Sequence, residues 1–194
     1  MNFLAHVYLS GRDFEIALGN LIADRVKGKK IFNYPESLQK GIKLHRSIDY
    51  FTDHHPLFKS SVSELFPNYR HYSRVIVDLY FDHFLAVLWG NYHPQSLAEF
   101  SAQFYQKIKS YPVELPAPIN HFLNALIKYN WFAHYQSVEG LKAIMEQMDR
   151  RTRFDSNLAA SATQLIEKYS YFQSQFLEFM PQVISFSKQK LAQL

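Results

Sequence analysis

No cysteine occurs in the 194 residues, and that absence removes a disulfide framework, a thiolate zinc site and a cysteine nucleophile together. Also missing is any apolar run near the roughly 20 residues that cross a bilayer. The first ten residues place no Lys or Arg ahead of a short apolar stretch, and Gly11-Arg12-Asp13 follows. A secretory leader needs a basic start and a longer apolar run, so the expectation is a cytoplasmic chain without membrane association. There is no serine nucleophile elbow, Gly-rich phosphate loop, dinucleotide fingerprint or His-Glu-x-x-His motif, which counts against serine hydrolases, P-loop enzymes and zincins. Glycine and proline are scarce, at 6 and 8; most fall where periodic apolar segments stop, while Gly19 stands beside Asn20 inside one, both weak helix formers.

What remains is rich in material for a core. Hydrophobic residues make up 47%, with 17 Phe and 13 Tyr, and the length suits one compact domain spanning the chain, 1–194. The net charge of +4 suits an acidic partner and does not call for nucleic acid. Helical spacing predicts elements over residues 13–27, 36–52, a short one from His54-His55-Pro56 to Pro67-Asn68, then 70–89, 94–111, 119–135, 138–149 and 155–194, the last kinked at Pro181. No stretch alternates as a half-buried strand. The fold class expected is all-α, a single-domain helical bundle.

Polar side chains of ligand type sit inside these apolar patterns, mainly within residues 1–90. Asn20 and Asp24 are four apart, as are His45 and Asp49, and Asp78 and Asp82, with His83 adjacent. That spacing puts each pair on one helix face, with Cβ atoms roughly 5–6 Å apart. Three such pairs converging in a bundle interior would make a carboxylate–histidine metal site. Oxygen and imidazole donors without sulfur favour Mn²⁺, Mg²⁺ or Fe²⁺. Asp78 and Asp82 lie among large apolar neighbours, where a carboxylate needs an offsetting cation, Arg or helix N-terminus. Arg46 has the planar fork to grip a phosphate. Each feature also has a plain structural reading: Asp78 or Asp82 paired with a base, His45 and Asp49 as a surface pair, His6 as a satisfied core residue. His54, His55, His71, His93, His121 and His134 show no useful spacing.

The motifs together resemble the acyl carrier protein phosphodiesterase family. The similarity runs through Met1-Asn2-Phe3-Leu4-Ala5-His6, Gly19-Asn20-x-x-x-Asp24, His45-Arg46-x-x-Asp49-x-x-x-Asp53, Asp78-x-x-x-Asp82-His83-Phe84-Leu85 and Arg150-Arg151-x-Arg153-x-Asp155. It implies an HD-phosphohydrolase-like helical fold, a preference for Mn²⁺, and hydrolysis of 4′-phosphopantetheine from the serine of holo-acyl carrier protein, an acidic protein substrate. The wider superfamily is named for an adjacent His-Asp pair; this chain has no such dipeptide, and Asp82-His83 runs in reverse order. The site expected from helix faces and matched motifs has Asp24, His45, Asp82 and His83 on one or two divalent cations, with His6 and Asp78 as further candidates. Arg46 would neutralise phosphoryl charge, and Asp49 would orient His45 or handle a proton. The basic groups near Arg25–Lys30 and Lys40–Lys43 would dock the carrier protein. Rival readings are a phosphohydrolase of a nucleotide or alarmone, and a non-catalytic helical protein that binds an acidic partner.

Overall fold

Five of the described helices start at a side chain that takes one of the first free backbone N–H groups. In the computed structural model, which describes residues 1–150 and 156–194, Asn2 accepts from the Phe3 N–H and opens α1 (Phe3–Leu9). Asp13 accepts from the Ile16 N–H at 3.0 Å and opens α2 (Phe14–Ile22). Then come α3 (Glu36–His54), α4 (Pro56–Tyr69), α5 (Ser73–Val87), α6 (Leu97–Lys109), α7 (Ala117–Lys128), α8 (Trp131–His134), α9 (Val138–Asp149), α10 (Ser161–Glu167) and α11 (Tyr169–Leu191). Ser96 and Glu99 form a reciprocal capping box at the start of α6. No strand occurs among the described residues, as the all-α expectation has it, and none of their helices is long and apolar enough to cross a membrane.

Several elements differ from the spacing-based reading for local reasons. The seven residues of α1 are too few for periodicity to register. The helix from Asp13 stops at Ile22 and tightens into a 3₁₀ turn, Ala23–Arg25, which carries Asp24 off the α-helical path. The segment 119–135 breaks where Asn130 turns left-handed, at φ +43°, a conformation Asn tolerates. The last segment divides at Lys168 into α10 and α11, and α11 continues through Pro181. Of the Arg150–Asp155 motif, residues 151–155 lie outside those described.

One apolar core links the helices from α1 to α11. Helix α5 runs through its middle, with Ile76, Val77, Leu79, Phe81, Phe84 and Leu85 fully buried. Phe81 and Phe84 pack on Phe176 of α11, ring centroids 5.8 and 5.9 Å apart. Full burial of such a side chain stabilises by about 1.5–3 kcal/mol.

The tightest packing joins α2 to α3. A Cβ added at Gly19 would lie 2.2 Å from the Leu38 carbonyl oxygen, and one at Gly41 would lie 2.1 Å from that of Ile16. Neither oxygen is the free end of a flexible side chain; both belong to helix backbone. The two glycines therefore let the helices cross backbone to backbone. Gly19→Ala or Gly41→Ala should lower stability by about 3 kcal/mol or more through overpacking, whereas Gly90→Ala, where an added Cβ meets nothing within 4 Å, should change it by under about 1 kcal/mol. Urea unfolding of the three variants checks this; equal stabilities would refute the close crossing.

Candidate metal centre

The α2–α3 crossing brings Asn20 and Asp24 alongside His45. Asn20 is fully buried and His45 is nearly so. His45 reaches Asn20 Oδ1 through Nδ1 at 3.1 Å and faces Asp24 Oδ1 through Nε2 at 3.2 Å. One turn on along α3, Asp49 Oδ2 lies 3.0 Å from the same Nε2. From the other side α1 supplies His6, whose ring stacks on that of His45 with centroids 4.0 Å apart. His6 Nε2 lies 3.2 Å from Asp49 Oδ1 and 3.1 Å from the Met1 carbonyl oxygen. Two imidazoles thus aim Nε2 at one carboxylate, and a second carboxylate flanks them.

The hydrogen-bond network fixes the orientation of His45. Ser10 Oγ spends its one proton on the His6 carbonyl oxygen at 2.8 Å, so towards Asn20 it can only accept. Asn20 Nδ2 must therefore be the group facing Ser10 Oγ at 2.8 Å and the His6 carbonyl at 3.0 Å. That leaves Asn20 Oδ1 as acceptor, and His45 Nδ1 carries the hydrogen. In its neutral form His45 then presents a bare Nε2 to the carboxylates, the atom a metal would take.

His6, His45 and Asp49 each offer a ligand atom within 4.8 Å of the others, and they are the one such His, Cys, Asp or Glu group among the described residues. The donor set suits a divalent ion of the Mn²⁺, Fe²⁺ or Mg²⁺ kind. The imidazoles are buried while the side chains of Asp49 and Asp24 are 42% and 65% exposed, so the group is closed on its nitrogen side and open to solvent on its oxygen side.

Comparison with known proteins decides the family. The model of the acyl carrier protein phosphodiesterase family matches residues 1–183. Proteins named acyl carrier protein phosphodiesterase are similar along nearly their whole length. The one from Photorhabdus laumondii is 31% identical over 98% of this chain and 96% of its own. Those from Klebsiella pneumoniae and Yersinia pestis are 31% and 30% identical, each over 98% of this chain and 99% of their own. The chain belongs to the acyl carrier protein phosphodiesterase family. No solved structure matches it.

In this family member Asp24, His45, Asp49 and His6 meet, His45 and Asp49 from one turn of α3 and the other two from separate elements. The expectation for the α5 residues needs correction. Asp78 and Asp82 do share a face, but that face is turned to the start of α1. Asp82 Oδ2 accepts from the Leu4 N–H at 2.8 Å, and Oδ1 from those of Asn2 and Ala5 at 3.2 and 3.3 Å; Asp78 pairs with the Met1 amino group. The offset that a buried carboxylate needs is supplied here by a helix N-terminus. Both ring nitrogens of His83 are engaged, Nδ1 with the Tyr135 carbonyl at 2.8 Å and Nε2 with the Tyr169 hydroxyl at 3.0 Å. Asp82 and His83 therefore stand outside the metal-type group. The α5 carboxylates act one step back, by holding the helix that carries His6. Arg46 Nη2 donates to the Val26 carbonyl at 3.1 Å, bracing the turn that holds Asp24. Ser10 is the contributor that spacing did not reveal, because its role depends on α1 and α2 lying side by side.

Electrostatics separate the two stacked rings. Burial and the neighbouring His45 charge push His6 down to about 4. Burial also opposes charge on His45, but hydrogen bonds to Asp24 and Asp49 outweigh it and raise the ring to about 9. Asp49 is held well below the usual carboxylate range: burial works against its charge, and the two histidines overcome that. Metal-free, protein stability gained at His45 is thus complete below the ordinary value of 6.5 and is lost as pH rises from 6.5 towards about 9. In chelator, the urea midpoint should fall between pH 6.5 and 9, and the fall should shrink in His45→Gln; an unchanged slope in that variant would contradict the assignment. His6, shifted downward, acts only below 6.5 and does not enter this window.

Proposed function

We propose that the chain is a metal-dependent phosphodiesterase that removes 4′-phosphopantetheine from the serine of holo-acyl carrier protein. The observation that carries the reading is the group of His6, His45 and Asp49, half-open to solvent, in a chain of this family. His6, His45, Asp49 and Asp24 would hold a divalent cation, Mn²⁺ by the preference the family resemblance implies, with Mg²⁺ or Fe²⁺ as the alternatives this oxygen and imidazole donor set accepts. Such a cation lowers the pKa of water and neutralises charge on phosphoryl oxygens. The protein's part is to place and to bind. Asn20 holds the His45 tautomer, Asp49 spans both imidazoles, and exposed Arg46 lies beside the Asp24 turn, where its guanidinium can take a phosphoryl oxygen. Water adds to phosphorus, the bond from phosphorus to the serine oxygen breaks, and that oxygen leaves as the serine hydroxyl once protonated. The products are apo-carrier protein and 4′-phosphopantetheine.

Docking of an acidic protein is supported by charge next to this site. Lys27, Lys29, Lys30 and Lys43 are exposed and form no ion pair with another described residue. Phe32, 69% exposed among them, offers an apolar anchor within a basic surface. Lys40 is half-buried and pairs with Glu36, which leaves it less available than the sequence suggests.

The test is mass spectrometry of holo-carrier protein after incubation with enzyme and Mn²⁺. Wild type should remove the whole phosphopantetheine group. Asp24→Ala and Asp49→Ala, verified as folded by circular dichroism, should be slower by about 100-fold or more, since even residues that merely support a ligand cost 10–100-fold. Wild-type rates in both variants would eliminate the site. Turnover of a nucleotide phosphoester with none of holo-carrier protein would favour a different phosphohydrolase.

A further inference from the structure

A second concavity, of about 660 Å³, opens where the end of α1 and the start of α2 face α6 and the last turns of α11. None of His6, Asp24, His45 or Asp49 lines it. Its walls are apolar: Val7, Leu9, Phe14, Phe104, Ile184 and Leu191. Its volume falls within the roughly 300–1,000 Å³ typical of small-molecule sites. Four ionisable side chains of full charge line it, Arg12, Lys107, Lys188 and Asp13. Asp13 caps α2, its Oδ1 accepting the Ile16 N–H, and three cations against this one anion leave the rim net positive. The three cations are exposed and form no ion pair with a described residue.

A basic rim on an apolar groove fits one ligand chemistry. A neutral apolar molecule would leave the cations unused, and an inorganic anion would leave the walls wet. A cationic amphipath would meet like charge. An alkyl chain ending in a carboxylate satisfies both parts, its tail in the groove and its head between Lys107, Lys188 and Arg12. We propose that this groove is a binding site for a medium-chain fatty carboxylate, separate from the metal-type group. Each methylene of the tail that enters the groove leaves water, so affinity should rise with chain length by about 3- to 4-fold per carbon until the groove is filled.

Isothermal titration of the full chain with dodecanoate, kept below its micelle concentration, tests this. One saturable site is expected. Octanoate should bind at least about 50-fold more weakly, because four methylenes are missing. Dodecyltrimethylammonium should give no saturable binding, and the exposed-site variant Lys107→Glu/Lys188→Glu should bind dodecanoate at least about 10-fold more weakly while its circular dichroism stays that of wild type. Chelator and the Asp49→Ala variant should leave dodecanoate binding unchanged, which separates this site from the phosphodiesterase reading. Equal binding of dodecanol and dodecanoate would overturn the role of the basic rim. Absence of saturable binding would overturn the site altogether, as would binding only to phosphatidylglycerol vesicles or occupation of the groove by a second copy of the chain in solution.

Discussion

Two helices that meet at glycines, with no side chain between them, set the geometry on which everything else in this molecule rests. Gly19 and Gly41 let α2 and α3 cross so closely that any Cβ would strike a carbonyl oxygen of the other helix. Glycine in a helix interior is unfavourable by roughly 1 kcal/mol relative to alanine, and here that penalty is offset by packing and by position. Asn20 follows Gly19 on α2, and His45 lies one turn beyond Gly41 on α3. The crossing places the Asn20 amide at 3.1 Å from His45 Nδ1, and the tautomer follows from it.

A second constraint acts on α1, too short to be stable alone. It is held at its beginning by the α5 carboxylates, with three backbone N–H groups on Asp82 and the amino group of Met1 on Asp78. Burial pushes Asp82 up to about 7, against the pull of the amino terminus and those N–H groups, and Asp78 up to about 6 for the same reason, against the amino terminus. Both carboxylates thus belong to the anchoring of α1, and α1 in turn presents His6 to His45. The candidate site is assembled from three directions: α3 supplies His45 and Asp49, the turn after α2 supplies Asp24, and α1 supplies His6.

Much of this could be read from residue spacing, and the unread part has definable causes. Residues 138–149 form a helix with the bounds that periodicity sets, because its apolar stripe is regular and Ser137 caps it. The pairing of His45 with Asp49 is local, one turn of one helix, and spacing suffices for it. Asp78 and Asp82 are also one turn apart and do share a face, yet spacing carries no information on what that face meets. A buried carboxylate is satisfied equally by a cation or by a helix N-terminus, and α1, the helix that supplies the N-terminus, falls below the length at which a period is visible. Likewise the move of Asp24 off the α-helical path depends on a 3₁₀ turn, which has no strong sequence mark. Gly19 beside Asn20 inside an apolar helical pattern is visible in the sequence; that it meets Gly41 of α3 is visible only in three dimensions.

The proposed phosphodiesterase activity depends on one arrangement, a divalent cation that the two stacked imidazoles and the carboxylates beside them would share. The most direct measurement of that arrangement is pulsed electron paramagnetic resonance of Mn²⁺ bound to protein carrying ¹⁵N-histidine. Couplings from two imidazole nitrogens are expected, falling to one in His6→Gln. Mn²⁺ bound with no histidine coupling, or with a coupling that survives unchanged in both His6→Gln and His45→Gln, would contradict it.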